Sequence, residues 1–470
     1  MPSLRRFFEI EQRGSTVGRE VLGGLTIFMS MSYILFVQPV VLAKAGMNSD
    51  AVFMATCISS AAACVLMGLL ANYPIALAPG MGENFFFVFT LCGVATAAGA
   101  FKLTWSEALA LTTVTGGLFL LLSVVGFRSM VLNAIPDALK SGIAAGIGLF
   151  IALIGFEWGN LVTSDPVTCV KLAGLRGNHV AALTLLGLGV TVLLMAFKVR
   201  GAILVGILLT TGATVAVASA WGLPGIRPEG VLAVPKGLGE TAGQFLAGYG
   251  KLLDKLLSKD WVHVLAFAFI LLFMDLFDTV GTLVGVTKRA GLIVKGKLPR
   301  AERALAADAA GTVIGGALGT STVTSYIESI TGVQAGARTG LAAIVAGVCM
   351  LLALFFQPLV RMVGGGVVVG KYPWGDPILR YPMIAPALIV VGAMMLRAIR
   401  DVEWDDPTEC VPAFLTMVAM PFAYSISAGI AIGFVSYAFG KLFTGRAREC
   451  PLIVYIFAVL FAIQYVLVMP

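Results

Sequence analysis

Residues 273–282 read FMDLFDTVGT and place two aspartates, Asp275 and Asp278, inside a long apolar run. The carboxylates are three residues apart and Thr282 lies four beyond Asp278, so on a helix all three side chains share one face. Two further acids stand in unusual company. Glu83 is followed by Asn84 in YPIALAPGMGENFFF (73–87), and Glu328 by Ser329 in GTSTVTSYIESITGV (319–333). A charged side chain at the centre of a membrane helix costs about 2.5–3.5 kcal/mol on insertion scales, so it persists only where it faces a cavity or a partner. No Lys or Arg lies within the three apolar segments holding these acids. The partners on offer are protons, metal cations, donor-rich ligands, or neighbouring hydroxyls and amides. A hydrogen-bonded packing contact is the plain alternative, and it weighs more for Asp275 and Glu83 than for Asp278 and Glu328. Asp137 and Glu157 stand near the ends of apolar segments, where water solvates them easily.

Three ligand types satisfy such a cluster. A cation such as sodium wants several oxygen ligands, which the hydroxyls of TSTVTSYIES can offer. A proton needs only one carboxylate whose affinity for it is raised by burial. A planar heterocycle with adjacent N–H donors matches the two oxygens of a carboxylate, while an aromatic side chain from the run at 85–87, Phe85 first, stacks on its face. The residues alone leave these three open.

The elements that position the acids must lie in a membrane. Of 470 residues 59% are hydrophobic and only 12% charged, and the mean hydropathy is +0.95, against about 25% charged for a soluble domain. Apolar stretches of bilayer length, about 20 residues, recur throughout, so no soluble catalytic domain fits anywhere and the lipid bilayer is the expected surrounding. The net charge of +7 comes from short Lys/Arg clusters between apolar runs. That is the pattern of topology rather than of nucleic-acid binding. Seven cysteines without a CxxC pair, and only two histidines, His179 and His263, give no disulfide framework, zinc site or haem site. No cofactor is called for. The N-terminus, MPSLRRFFEIEQRGSTVGRE, is basic and amphipathic and lacks a signal-peptide core, which places it in the cytoplasm.

Apolar segments fall at 20–43, 51–71, 75–98, 106–126, 137–156, 179–197 and 201–220. An inter-repeat loop (221–261) follows, whose piece YGKLLDKLLSKDW has the Leu/Lys spacing of a helix lying along the interface. A second series runs 262–287, 304–317, 321–333, 339–357, 382–397, 410–425 and 427–443. Seven spans per half invert the second half relative to the first, the inverted-repeat plan of many secondary transporters. Arg5, Arg6, Arg13 and Arg19, then Lys198 and Arg200, then Lys288 to Arg303 all land on one side under this plan. The last apolar run, 451–470, stands outside the count. The stretches 73–87 and 319–333 occupy matching places in the two halves, and Pro79, Gly80 and Gly82 predict a chain break in the first. Interrupted spans at matching positions point to a site at the membrane midplane.

FMDLFDTVGTLVGV, LGTSTVTSYIESITGVQAGARTGLAAIVAG and APGMGENFFF together closely resemble the nucleobase:cation symporter 2 family, in its adenine/guanine/hypoxanthine permease branch. The similarity runs from GGLTIFMSMSYILFVQP (23–39) to CVPAFLTMVAMPFAYSISAGIAIGF (410–434), most of the chain. The resemblance implies an all-α polytopic membrane protein of about fourteen spans in two inverted repeats, with short strands in interrupted spans 3 and 10. A core domain would comprise spans 1–4 and 8–11 and a gate domain spans 5–7 and 12–14. It implies a purine nucleobase importer of the plasma membrane, driven by proton symport and often dimeric. Carried over by position, Glu328 matches the carboxylate that holds the base and Asp278 the acid of binding and coupling. Asp275 and Asn84 match polar positions lining the site, and Glu83 accompanies Asn84 in GEN.

The chain also departs from that pattern. VRMVGGGVVVGKYPWGDPILRYPM, between spans 11 and 12, is longer and richer in Gly and Pro, and Gln38 stands where an asparagine is expected. GGVVVGKY nearly spells a phosphate loop, but Tyr372 replaces the Mg-binding hydroxyl and no nucleotide-binding context surrounds it. Two rival functions remain on these grounds: transport of xanthine, uracil or urate, and a magnesium-dependent membrane enzyme using DxxD to hold a diphosphate. The second needs basic residues near the acids, and the nearest, Lys288 and Arg289, lie ten or more residues past Asp278.

Overall fold

The computed structural model describes residues 2–94, 101–125, 136–218, 221, 230–293, 298–371 and 377–463. The far ends of the expected segments 75–98, 106–126 and 201–220, part of the 221–261 loop, Lys295, Lys297, Tyr372 and the end of the run 451–470 lie outside the described residues.

A bilayer offers no water to the backbone, so a chain this apolar crosses it as helix, or as irregular backbone whose polar groups are closed within the protein. Both solutions occur. After a short turn of helix at Pro2–Phe7, α1 (Val17–Met31) starts at Thr16, whose side chain accepts from the Arg19 amide. The expected first segment is not continuous: around Ser32 and Tyr33 the chain tightens, with Leu35 N donating to Ser32 O and Phe36 N to Tyr33 O, both at 3.1 Å, and restarts as α2 (Ile34–Ala43). α3 (Ser49–Leu66) widens into a π-helical turn at Met67–Ala71. Strand β1 (Leu77–Pro79) follows, then α4 (Met81–Phe85), which continues as a second wide turn, Phe86–Leu91.

Next come α5 (Trp105–Val125), α6 (Asp137–Trp158), the hairpin β2 (Val162–Asp165) and β3 (Cys169–Leu172), α7 (His179–Ala196) and α8 (Ala202–Ala218). The amphipathic loop segment is α9 (Gln244–Leu257), and the DxxD run lies in α10 (Trp261–Ala290). Then α11 (Ala301–Leu318), β4 (Val323–Ser325), α12 (Ser329–Gln334), α13 (Gly340–Ala353) and α14 (Gln357–Gly364) complete one series. Within the Gly/Pro-rich segment β5 (Val367–Lys371) pairs antiparallel with β6 (Pro377–Arg380), so residues 367–371 of the phosphate-loop look-alike are strand. α15 (Ala385–Met395), α16 (Pro407–Phe422), α17 (Ile426–Phe443) and α18 (Leu452–Ile463) close the chain.

Among the described residues eight helical stretches are long and apolar enough to cross a membrane, and the chain is a mostly helical, multi-pass membrane protein. Two packing groups stand out. α11 packs on α5 and α3, and α13 on α1 and α3, whereas α15 and α16 pack on α6, and α16 also on α17. Small residues permit the close approaches, as is usual between membrane helices. A Cβ on Gly392 would sit 2.4 Å from Gly148 O, and one on Gly148 only 2.7 Å from Gly392 O. α9 is seated on α5 in the same way: a Cβ on Gly248 would lie 2.0 Å from Ser106 O, and Lys255 pairs with the buried Glu107 at 2.9 Å. Leu246, Leu253 and Leu257 of α9 remain exposed.

Glu157, near a segment end and read as a structural acid, is engaged at the end of α6. Tyr424 Oη donates to it at 3.0 Å and Arg380 of β6 lies 3.6 Å away. Tyr381 N donates to Trp158 O at 2.8 Å, and Lys44, just past α2, sits over the Tyr381 ring at 5.3 Å. Asp137 pairs with Lys140 at 2.8 Å and stays exposed, as its position near a segment end predicts.

Candidate functional site

Both interrupted segments contain the expected strands, and the strands pair with each other. β1 and β4 run antiparallel with Leu77 opposite Ser325, Ala78 opposite Thr324 and Pro79 opposite Val323. Pro79 can donate no ladder bond, but Gly80 N donates to Thr322 O at 3.0 Å and Tyr326 N to Ala76 O at 2.9 Å, extending the pairing past both ends. This mutual closure lets two buried helices break without orphaning backbone groups in an apolar interior. Each strand then turns into a short helix, α4 or α12, that carries an acid at or beside its start.

Glu328 lies at the head of α12, is 7% exposed, and accepts a 2.8 Å hydrogen bond from Tyr33 Oη. Tyr33 reaches it because the chain turns between α1 and α2 at that point. Its ring neighbours Tyr326, 6.4 Å between centroids, and Tyr326 Oη donates to Pro79 O at 2.5 Å, pinning the two strands together. Ser329, the residue after Glu328, is committed to the backbone: its hydroxyl accepts from Ala76 N at 3.0 Å.

On α10, Asp275, Thr279 and Thr282 are buried along one stripe and Asp278 is half-buried beside it. Thr312 Oγ1 lies 3.2 Å from Asp275 Oδ2 and 3.0 Å from Val323 O, with one proton to offer the two acceptors. Thr279 Oγ1 donates to Asp308 at 2.7 Å and lies 2.8 Å from Thr324 Oγ1, while Ser325 Oγ donates to the other oxygen of Asp308 at 3.0 Å. Asp308 and Thr312 are four apart on α11, so this one helix face ties α10 to β4. Asp278 is within electrostatic range of Glu83, Asp308 and Glu328. The acids predicted from separate segments therefore converge on one strand crossing.

Glu83 and Asn84 are buried in α4. The Glu83 carboxylate folds back over Gly80, where a Cβ would meet its Oε2 at 2.2 Å and Thr324 Cγ2 at 2.6 Å. Asn84 Oδ1 accepts from Ser321 Oγ, and Ser321 in turn accepts from Gln38 Nε2 at 3.1 Å. Phe85 is fully enclosed in an aromatic group, parallel to Phe89 and edge-on to Phe150, with centroids 6.0 Å apart in each case. Phe89 and Phe150 both meet Tyr424 at 5.2 Å.

Sequence reasoning missed Asp308, Thr312 and Tyr33, and set Gln38 aside. Asp308 had a signal, since it is the one acid within the apolar segment 304–317. Tyr33 had none, because only the unforeseen turn after Met31 brings it to Glu328.

The sequence profile of a permease family matches residues 18–432. The chain belongs to this permease family. It is therefore a membrane transporter and not an enzyme, which removes the magnesium-dependent reading of DxxD. The chain is 41% identical to the guanine/hypoxanthine permease PbuG of Bacillus subtilis over 472 residues, covering 98% of this chain and 99% of that one. It is 38% identical to the adenine permease AdeP of Escherichia coli over 478 residues, covering 99% and 96%. In fold it is similar to the transmembrane domain of the cyanobacterial bicarbonate transporter BicA, with a TM-score of 0.58 at 12% identity over 89% of this chain and 97% of that one. With so few residues shared, that similarity speaks for the architecture of the permease alone.

Proposed function

We propose that this permease is a secondary active transporter that imports purine nucleobases (guanine, hypoxanthine, adenine or a subset) by proton symport with alternating access. The observation that carries the reading is the acid-lined strand crossing, in a chain similar along nearly its whole length to permeases named for these purines. Glu328, held by Tyr33, accepts ring N–H groups of the base. Asn84 offers its amide, and Asp275 and Glu83 keep the surroundings polar. Ser329 fixes the strand from which Glu328 is presented, and Phe85 with its aromatic neighbours walls the site. Asp278, half-buried among the other carboxylates, takes up the coupling proton, and Glu328 shares that task. A cluster of like charges in an apolar interior calls for such compensation. A neutral purine with adjacent N–H donors suits it, whereas urate or another anion calls for a cationic site.

In the same reading the protein spans the plasma membrane about fourteen times as two inverted seven-span repeats, with the N-terminus cytoplasmic, and it pairs as a homodimer. The helices grouped with α5 and α11 form the core, and those grouped with α6 and α15–α17 form the gate that moves against it. The test is uptake of labelled hypoxanthine, guanine, adenine, xanthine and uracil into cells lacking their own permeases, with a protonophore control and with Asp278→Asn and Glu328→Gln alongside. Purine uptake that the protonophore and both substitutions abolish is expected. Uptake of xanthine or uracil alone, or purine accumulation by Glu328→Gln equal to wild type, would overturn the assignment.

A further inference from the structure

Three fully buried residues from three separate segments form a hydrogen-bond relay in which the Gln38 amide nitrogen leads and the Asn84 carbonyl ends the chain. Gln38 Nε2, on α2, donates to Thr320 Oγ1 at 2.9 Å and to Ser321 Oγ at 3.1 Å. A serine hydroxyl has one proton to give, and the Ser321 proton goes to Asn84 Oδ1. The carbonyl of Asn84 is thereby turned toward Ser321. Its amide nitrogen Nδ2 is buried and has no hydrogen-bond partner among the described residues. A buried donor left unpaired costs about 1–3 kcal/mol, so an acceptor that fills it gains affinity and one that offers a second donor there loses it. Gln38, where an asparagine was expected, has the reach to hold two hydroxyls at once.

We propose that the Gln38–Ser321–Asn84 relay is a selectivity device that fixes Asn84 as a hydrogen-bond donor toward the site. The favoured substrate then presents an acceptor there, the carbonyl of a 6-oxopurine, in preference to the amino group of adenine. The proposal rests on the purine-transport reading above. Gln38 and Ser321 act as positioning residues, since neither needs to touch the base. The relay also makes a directional prediction. Glutamate at position 38 accepts and does not donate, so Ser321 gives its proton to that carboxylate, its oxygen accepts from Asn84 Nδ2, and the rotated amide turns its carbonyl toward the site.

The experiment is competitive uptake of labelled hypoxanthine and adenine by the full-length protein in permease-deficient cells, for wild type, Ser321→Ala, Ser321→Thr and Gln38→Glu. Wild type is expected to favour hypoxanthine by about tenfold, the discrimination of one well-placed hydrogen bond. Ser321→Ala, which frees the amide to rotate, brings the ratio near one. Ser321→Thr, which keeps a hydroxyl, retains the preference, and Gln38→Glu shifts it toward adenine. A Ser321→Ala ratio equal to that of wild type, or a wild type that favours adenine, overturns the relay. Uptake of neither purine by the wild type would defeat the functional reading itself, a different result from purine uptake with an unmoved ratio. Ser321→Ala removes a single atom, so the comparison with Ser321→Thr stands whether or not the buried charge at position 38 is tolerated.

Discussion

Gly80 is the most sharply testable residue of the strand crossing. Its backbone, φ −71° and ψ 137°, is open to any amino acid. What forbids a side chain is space alone: an added Cβ would stand 2.2 Å from Glu83 Oε2, 2.8 Å from Glu83 Cδ and 2.6 Å from Thr324 Cγ2. The Glu83 side chain can swing away, but Thr324 is pinned by β-pairing to Ala78 and by its contact with Thr279. Gly80→Ala must therefore displace the Glu83 carboxylate and press on β4 as well. Overpacking of this kind costs about 1–3 kcal/mol, which is about 5- to 150-fold in whatever equilibrium depends on the intact crossing. Gly82 is the internal control, since a Cβ there meets no atom closer than 3.1 Å: Ile147 Cγ2 at 3.1 Å, Ile147 Cδ1 at 3.3 Å and Met274 Cε at 3.4 Å, all side-chain atoms. The assay is the initial rate of hypoxanthine uptake normalised to membrane-inserted protein, with thermal unfolding of the detergent-purified protein measured in parallel. Gly80→Ala should insert and fold yet lose at least about fivefold in uptake, while Gly82→Ala stays near wild type. Wild-type uptake by Gly80→Ala, or equal losses at both glycines, would refute the claim that the Glu83–Gly80–Thr324 contact shapes the site.

Tyr33→Phe deletes the donor to Glu328 without changing the ring, and a hydrogen bond to a carboxylate is worth about 1.5–3 kcal/mol; the KM for purine should rise by about tenfold or more, and an unchanged KM would detach Tyr33 from the site. Asp308→Asn leaves the hydroxyls of Thr279 and Ser325 with a changed acceptor set, so uptake should fall steeply while Asp308→Glu recovers part of it; full activity of the asparagine variant would make Asp308 packing alone. Away from the membrane-spanning segments, Asp406 caps α16, and the hydrogen bond from Arg446, with the Thr408 amide next, holds its carboxyl down at about 2. A group lowered on folding contributes stability above its ordinary carboxylate value and loses it as the pH falls through about 2. Thermal unfolding of the detergent-purified protein should therefore fall more gently between pH 4 and about 2 in Asp406→Asn than in wild type, and identical profiles would remove the cap and ion pair from the ledger of acid sensitivity.

The helical segments were legible in the sequence because a membrane leaves little choice: an apolar run of bilayer length closes its own hydrogen bonds or is not there. The two interruptions were legible for the complementary reason, since Pro79 with Gly80 and the hydroxyl-rich TSTVTS cannot continue a plain lipid-facing helix. Harder to read was everything that depends on who meets whom. Asp308 is one acid in a helix of small residues, and only the packing of α11 against α10 and β4 shows Thr279 and Ser325 converging on it. The break at Ser32 and Tyr33 carries no glycine or proline, so nothing local announced it. The structural role of Glu157 could be judged from its place near a segment end, but not its partners: the segment after α14 brings Arg380 to it, and the turn between α16 and α17 brings Tyr424.

That last meeting gives the aromatic group at Phe85 a second meaning. Phe85 contacts Phe89 and Phe150; Phe89 belongs to the wide turn after α4, and Phe150 to α6. Tyr424 lies against both rings and holds Glu157 through its hydroxyl. Its backbone is left-handed, φ 49°, a conformation that costs a non-glycine residue free energy and persists only where surroundings insist on it. A continuous set of packed side chains thus runs from the segment bearing Glu83 and Asn84 to the ion pair of Glu157 with Arg380. Packed rings of this kind shift between discrete arrangements rather than deforming smoothly. Under the proposed transport reading, a base that displaces Phe85 would be felt at Tyr424, and the packed rings would then connect the proposed site to the outer contacts that alternating access has to move.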